Sequence, residues 1–334
     1  MNAAVNYGLW FDFRNPPQWQ EDFESFYERR MAQIESAEKL GFDSVWLTEH
    51  HFCDDGYTPS PLVVAAAIAA RTRRLHIGTN LMLLPLHDPV RIAEDAATVS
   101  LLSRGRFDLG VGIGYRQLEF DQFRRPLSHR PSLMEEGIDV IRRCWSGRPV
   151  DFAGKRFQVG DVRVTPAPVH PPRILLGGMA PPAIERAARM ADGFLSTGGL
   201  GLDVYCEALR EQGKRLEDGN VVLGCWAIIA EDPEAEARRI GDHILYQINE
   251  YIRWGAFGPP EQASLFDDVM VAIENGLYEL WDAEMAVTQL RKLVSDYPMI
   301  SDIHFWAQFP GEPVESGSRR QQYIAEKVLP RLRA

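Results

Sequence analysis

Three adjacent side chains, Glu49-His50-His51, carry the densest acid–base chemistry in this 334-residue chain. An imidazole takes or gives a proton near neutral pH at little cost in driving force, and an extended segment can hold it in one orientation. Successive side chains of such a segment alternate, so Glu49 and His51 face one way and His50 the other. The two histidines are therefore not expected to act as adjacent ligands of one metal. HExxH spacing does not occur either, and no metal site is expected. Two readings of each histidine stay open: a general acid or base, or a hydrogen-bonded side chain that ties a loop to its scaffold. Asn80, within the apolar run Ile77-Gly78-Thr79-Asn80-Leu81-Met82, is a second candidate, because a buried amide must find partners and can find them on a ligand. Leu175 to Pro182, which contains Gly177-Gly178-Met179-Ala180, is a third. Glycines between a strand and a helix let backbone N–H groups approach an anion under the helix dipole, although such turns are common without one.

Other chemistries lack their signatures. Gly110-Val111-Gly112-Ile113-Gly114 is GxGxG followed by an arginine-containing polar loop, which is not the dinucleotide-binding pattern. Neither a Walker lysine nor a GxSxG nucleophile elbow occurs. Cys53, Cys144, Cys206 and Cys225 are far apart and form no CxxC pair, which fits a reducing, cytoplasmic setting. Lys and Arg number 36 against 47 Asp and Glu, a net charge of −11 that argues against nucleic acid or an anionic membrane surface as partner. The longest apolar run, residues 62–70, is about half of what a bilayer requires.

The elements that must position these residues read as short apolar runs alternating with longer amphipathic stretches, the pattern of βα units around a parallel sheet. Strands are expected over 5–13, 43–49, 75–84, 106–112, 173–176, 193–196, 221–229 and 302–307, with a hairpin at 150–159. Helical spacing over 23–40 stops at Gly41, Pro59 and Pro61 open an Ala-rich helix, and Asp88-Pro89 reads as N-cap and first helical residue. No linker divides the eight strands. A single (β/α)8 TIM barrel spanning residues 1–334 is expected, with an open doubly wound sheet as the alternative. Between the seventh and eighth strands, residues 243–281 hold Tyr246, Tyr251, Trp254, Phe257, Phe266, Tyr278 and Trp281. This insertion is read as a lid over an apolar substrate, or as packing on the barrel exterior or in a subunit contact.

Several segments, in order and in similar spacing, resemble the flavin-dependent monooxygenases similar to the bacterial luciferase α subunit. They are Gly41-Phe42-Asp43-Ser44-Val45-Trp46-Leu47-Thr48-Glu49-His50-His51-Phe52, Pro89-Val90-Arg91-Ile92-Ala93-Glu94-Asp95, Gly105-Arg106-Phe107 and Gly110 to Tyr115. The likeness continues through Gly177-Gly178 and Ala187 to Gly193 as far as Phe309-Pro310-Gly311. It implies a TIM barrel that uses reduced FMN and dioxygen to oxygenate a small organic substrate. Because the chain has no nicotinamide fingerprint, a separate flavin reductase is the implied partner, and relatives of this kind associate as homodimers. By the same resemblance His50 is the acid/base, with His51 as the competing choice and Glu49 beside them. Asn80 and Leu81 would lie under the isoalloxazine across a cis peptide bond. Gly112, Gly114 and Tyr115 would border the ring, and Gly177, Gly178, Met179 and Ala180 would meet the phosphate. Trp10, Phe11 and Trp46 would wall the substrate cavity and keep water from the activated flavin. Ala180 and Ile113 depart from the family, which commonly has Ser or Thr at the first position and, in luciferase, Arg at the second. Two alternatives come with the family fold: an F420-dependent oxidoreductase exchanging hydride, and a non-catalytic flavin-binding subunit.

Overall fold

In the computed structural model, which describes residues 5–334, eight parallel strands close on themselves. In chain order the strands are β1 (Asn6–Phe11), β2 (Ser44–Leu47), β3 (His76–Thr79) with its continuation β4 (Met82–Leu83), and β5 (Phe107–Gly112). An antiparallel hairpin, β6 (Val150–Ala153) and β7 (Gln158–Val162), follows outside the ring. Then come β8 (Ile174–Gly177), β9 (Gly193–Thr197), β10 (Val221–Cys225), β11 (Ala227–Ile229), β12 (Glu279–Trp281) and β13 (Ile300–Trp306). The ring runs β1-β2-β3/β4-β5-β8-β9-β10-β13 and returns to β1, the arrangement of a (β/α)8 barrel. An open doubly wound sheet is thereby excluded.

Alternation along the strands sorts the core into two layers. Leu9, Phe11, Val45, Leu47, Ile77, Leu109, Val111, Phe194 and Phe305 pack outward against the helices. Trp10, Trp46, Leu175, Leu195, Val222 and Trp306 fall in a separate inner cluster. Register places Trp306, Trp10, Trp46 and Gly78 side by side on four adjacent strands. Gly78 is required there, since a Cβ would stand 2.2 Å from the Trp46 ring. Trp10 stacks on Trp306 with centroids 4.3 Å apart, so large rings fill the floor of the ring.

Helix boundaries follow the local chemistry. Asp22 and Asp88 cap the helices Phe23–Leu40 and Pro89–Ser103 by accepting backbone N–H bonds, and Gly41 ends the first at φ 90°. Asp282 caps Ala283–Asp296 in the same way. Two expected strands are interrupted. The third stops at Asn80-Leu81, whose peptide bond is cis, and resumes as β4. The seventh, expected over 221–229, breaks at Trp226, where the chain leaves the barrel and β11 pairs in parallel with β12. The backbone carbonyl of Trp226 accepts the N–H of Glu279, and its ring stacks on Tyr278 at 5.0 Å. The insertion before the eighth strand therefore starts earlier than expected, with helices Pro233–Arg239, Gly241–Trp254 and Val269–Glu274. No helix among the described residues is long and apolar enough to cross a membrane.

At the strand starts, Asp108 gathers three strands: it accepts from His76 Nε2 at 2.7 Å and from Arg173 Nε at 3.1 Å. Burial alone would raise this carboxyl, but His76 and Arg173 outweigh it and hold it at about 2. A folded-state value below the ordinary 3.8 contributes stability above that pH, lost as pH falls toward 2. Asp108→Asn is expected to cost up to about 2 kcal/mol at pH 7. In urea denaturation the gap from wild type should narrow as pH drops below 4; a gap independent of pH would contradict this assignment.

Candidate active site

Just past β2, the side chains of Glu49, His50 and His51 turn to different partners. On one side His50 Nδ1 lies 2.8 Å from Glu119 Oε1, and its Nε2 lies 3.2 Å from the Tyr115 hydroxyl. Glu119 is fully buried on the short helix Gln117–Gln122 after β5, and the same Oε1 accepts the backbone N–H of His51 at 2.9 Å. An oxygen that already accepts one N–H assigns the His50 proton to Nδ1 and leaves the Nε2 lone pair toward Tyr115. Burial pushes the Tyr115 phenol well above its ordinary value, so it stays a donor.

On the other side His51 Nε2 and His87 Nε2 both meet Glu49 Oε1, at 3.0 and 2.7 Å, while the second oxygen of Glu49 accepts the Leu83 N–H. Burial would raise the Glu49 carboxyl; the two imidazoles overcome it and hold the group at about 2. The same contact raises His87 against the effect of burial. His50 shares neither of these partners.

Helix Gly241–Trp254 covers the His50 side. Trp254 stands 5.1 Å from the His50 ring, Tyr57 4.8 Å from it, and the Tyr57 and Tyr251 hydroxyls are 3.0 Å apart. Beneath them Arg14, fully buried, bonds Asp55 through Nε at 2.6 Å. Its guanidinium lies 5.1 to 5.7 Å from the ring centroids of Tyr57, Tyr246, Tyr251 and Trp254. Nearby, burial raises Asp12 to about 6.

Below the mouth, Asn80 links the site to the barrel interior. Its side-chain amide donates to His304 Nε2 at 3.0 Å, and its carbonyl accepts the Trp10 indole N–H at 3.1 Å. Burial lowers His304, which is neutral and accepts at Nε2. Gly112 and Gly177 form a cradle for Leu81: a Cβ on either would stand 2.5 Å from a Leu81 methyl. A cavity of about 650 Å³ past the ends of β9 and β10, against the helix Ala283–Asp296, is lined by Met179, Thr197, Gly198, Gly199, Trp226 and Leu277, among others. The indole N–H of Trp226 has no partner in the protein. Lys292 is the cation of this lining, and it is paired with Asp296 beside Glu279. A shallower recess of about 840 Å³ around Cys206 and Arg210 lies on the outer helices, away from the strand ends.

The expected site residues thus fall into groups. His50 and Tyr115 meet; Glu49 and His51 form a separate cluster; Asn80, Leu81, Gly112 and Gly177 build the ledge, and Gly114 turns at φ 69° against Phe120. Met179 lines the cavity, whereas Gly178 packs on Ala183 and Ala180 caps a helix that opens with Pro181-Pro182. Those two prolines remove the first helical N–H donors. Trp10 and Trp46 lie in the barrel floor, Trp46 fully buried, and Phe11 faces the helices. Glu119, His87 and Arg14 were not singled out from sequence, and Trp254 only as one aromatic of the insertion. The usable signal for His87 was its place just before the Asp88-Pro89 cap, at the end of the third strand.

Comparison with known proteins follows from this geometry. The description "Luciferase-like monooxygenase" matches residues 7–288. The chain belongs to that family. It is 33% identical over 331 residues to an F420-dependent glucose-6-phosphate dehydrogenase of Kineococcus radiotolerans, covering 93% of this chain and 95% of that one. It is 30% identical over 278 residues to limonene 1,2-monooxygenase of Rhodococcus erythropolis, covering 78% and 70%. The crystal structure of monooxygenase RslO1 from Streptomyces bottropensis superposes with a TM-score of 0.81 at 24% identity, covering 98% and 99%. The luciferase-like family includes both flavin monooxygenases and F420-dependent oxidoreductases.

Removing the cation under the aromatic helix exposes its structural role. Arg14→Met leaves Asp55 buried without its ion-pair partner, and the expected cost is about 3 kcal/mol in chemical denaturation. A loss under about 1 kcal/mol would show that the aromatic box and not the ion pair holds the helix.

Proposed function

We propose that this luciferase-like protein is a flavin-dependent monooxygenase, in which reduced FMN and dioxygen oxygenate a small, largely apolar organic substrate. The observation that carries this reading is the composition of the strand-end cavity. Its walls combine apolar side chains and glycines with Thr197, Gln289 and Tyr297, its cation Lys292 is already paired with Asp296, and Glu279 adds a further negative charge. A planar ring with a single phosphate suits such walls. The F420 tail, a phosphodiester followed by several carboxylates, would find little cationic complement there. The unpartnered Trp226 N–H is a buried donor on the wall, fitted to an acceptor of a flat ligand. The second reading, hydride exchange with F420, is favoured by the named function of the Kineococcus relative.

Reduced FMN would supply the two electrons that let one oxygen atom enter the substrate while the other leaves as water. The chain supplies position, dryness and a proton. Leu81, seated on Gly112 and Gly177, offers an apolar ledge at the strand ends, with Asn80 fixed beneath by His304 and Trp10. Thr197, Gly198 and Gly199 form a turn whose glycines, at φ 60° and 81°, leave no Cβ on the wall where a phosphate would rest. His50 takes or gives a proton at Nε2. Glu119 fixes its tautomer through Nδ1, and Tyr115 donates toward Nε2 until a reacting group displaces it. Trp254, Tyr57 and Tyr251 close this side against water. The reduced flavin would come from a separate flavin reductase.

His50→Ala tests the assignment. With a reductase, FMN, oxygen and a panel of small apolar olefins and ketones, turnover is expected to fall about 100-fold or more while FMN affinity stays within about threefold. Product formation unchanged in the variant would remove His50 from the chemistry.

A further inference from the structure

The Glu49, His51 and His87 cluster has no part in the oxygenation reading, because its side chains turn away from the His50, Glu119 and Tyr115 group. We propose that these three side chains bind one divalent transition-metal ion of the zinc class. Glu49 Oε1, His51 Nε2 and His87 Nε2 all lie within 4.8 Å of one another. Zinc bonds of about 2.0 to 2.2 Å set tetrahedral ligand atoms about 3.3 Å apart. The separations to Glu49 Oε1 are 3.0 and 2.7 Å, so seating an ion opens these two edges by roughly 0.3 and 0.6 Å. Two imidazoles and one carboxylate form a ligand set that prefers borderline divalent cations to calcium or magnesium.

The surroundings are built to hold the ligands still. Glu49 and His51 leave the end of β2, and the Leu83 N–H holds the second oxygen of Glu49, which leaves Oε1 to the imidazoles. His87 is fixed between the turn Leu84–Leu86, to which its own N–H bonds at 3.1 Å, and the capped helix Pro89–Ser103. Phe123 packs edge-on to His51 at 4.7 Å and closes one flank with carbon. Glu49 is fully buried, whereas the His87 side chain is 22% exposed, which gives an ion its entry path and a solvent position for a fourth ligand. A divalent cation there would offset the charge of the buried Glu49 carboxylate. The inference does not rest on the flavin reading and needs no flavin for its test.

Chelator-treated full-length protein is titrated with Co²⁺ and then Zn²⁺, following calorimetric stoichiometry and visible Co²⁺ absorption. One Co²⁺ per chain is expected, with the intense absorption of a low-coordinate N/O site that Zn²⁺ displaces. His87→Gln and His51→Gln, each checked for native circular dichroism, should weaken Co²⁺ binding at least about 100-fold. His170→Gln, at an exposed position, should leave it unchanged. Failure of the folded wild-type protein to take up Co²⁺, or uptake that survives in folded His87→Gln, would overturn the proposal and leave a metal-free hydrogen-bonded cluster.

Discussion

The opposed directions of the Glu49-His50-His51 side chains, held in place by β2 just before them, are the constraint on which the rest of the mouth depends. The Glu49 and His51 side chains meet each other while the His50 ring turns to Glu119, so the mouth holds two polar centres, joined where Glu119 Oε1 also accepts the His51 backbone N–H. One holds Glu119, Tyr115 and the aromatic helix Gly241–Trp254 around His50; the other holds His87. Barrel closure makes the division stable, since β2 is bonded on both sides and cannot slip by one residue without turning its whole hydrophobic set inside out.

The barrel interior confines chemistry to this end. Trp306, Trp10 and Trp46 in register, with Gly78 giving room to the Trp46 ring, fill the floor. Asp302 accepts from Ser44 and Trp46, and His304 receives the Asn80 amide, so the polar groups under the mouth are tied to one another. A separate cavity opens between the ends of β9 and β10, the insertion and the helix Ala283–Asp296. The insertion is no detached decoration: Tyr246, Tyr251 and Trp254 all reach the buried Arg14, whose charge is met by Asp55 and by ring faces.

Much of this architecture is legible along the chain because it rests on local rules. Alternating apolar runs marked the barrel strands, Asp88-Pro89 and Gly41 marked helix ends, and the position of the cis peptide at Asn80-Leu81 followed from the family resemblance. The misses depend on contacts between distant segments. The stretch 221–229 is apolar throughout, and its break at Trp226 comes from the edge that β12 offers more than fifty residues later. Glu119 sits on a six-residue helix in a polar loop, where nothing local distinguishes it from a solvated carboxylate. His87 joins Glu49 across two strands, and Arg14 finds its ring partners on a helix over two hundred residues away. Residue types alone place none of these pairs.

Family members with either cofactor share this barrel, so the charge of the cavity lining is what separates them. A cavity with one cation, already paired, and acidic neighbours disfavours a polyanionic tail. Anaerobic titration of the purified protein with reduced FMN and, separately, with F420 in both redox states measures that choice directly. The account predicts reduced FMN binding at least about tenfold tighter, a difference of about 1.4 kcal/mol. F420 binding as tight as or tighter than reduced FMN would contradict it.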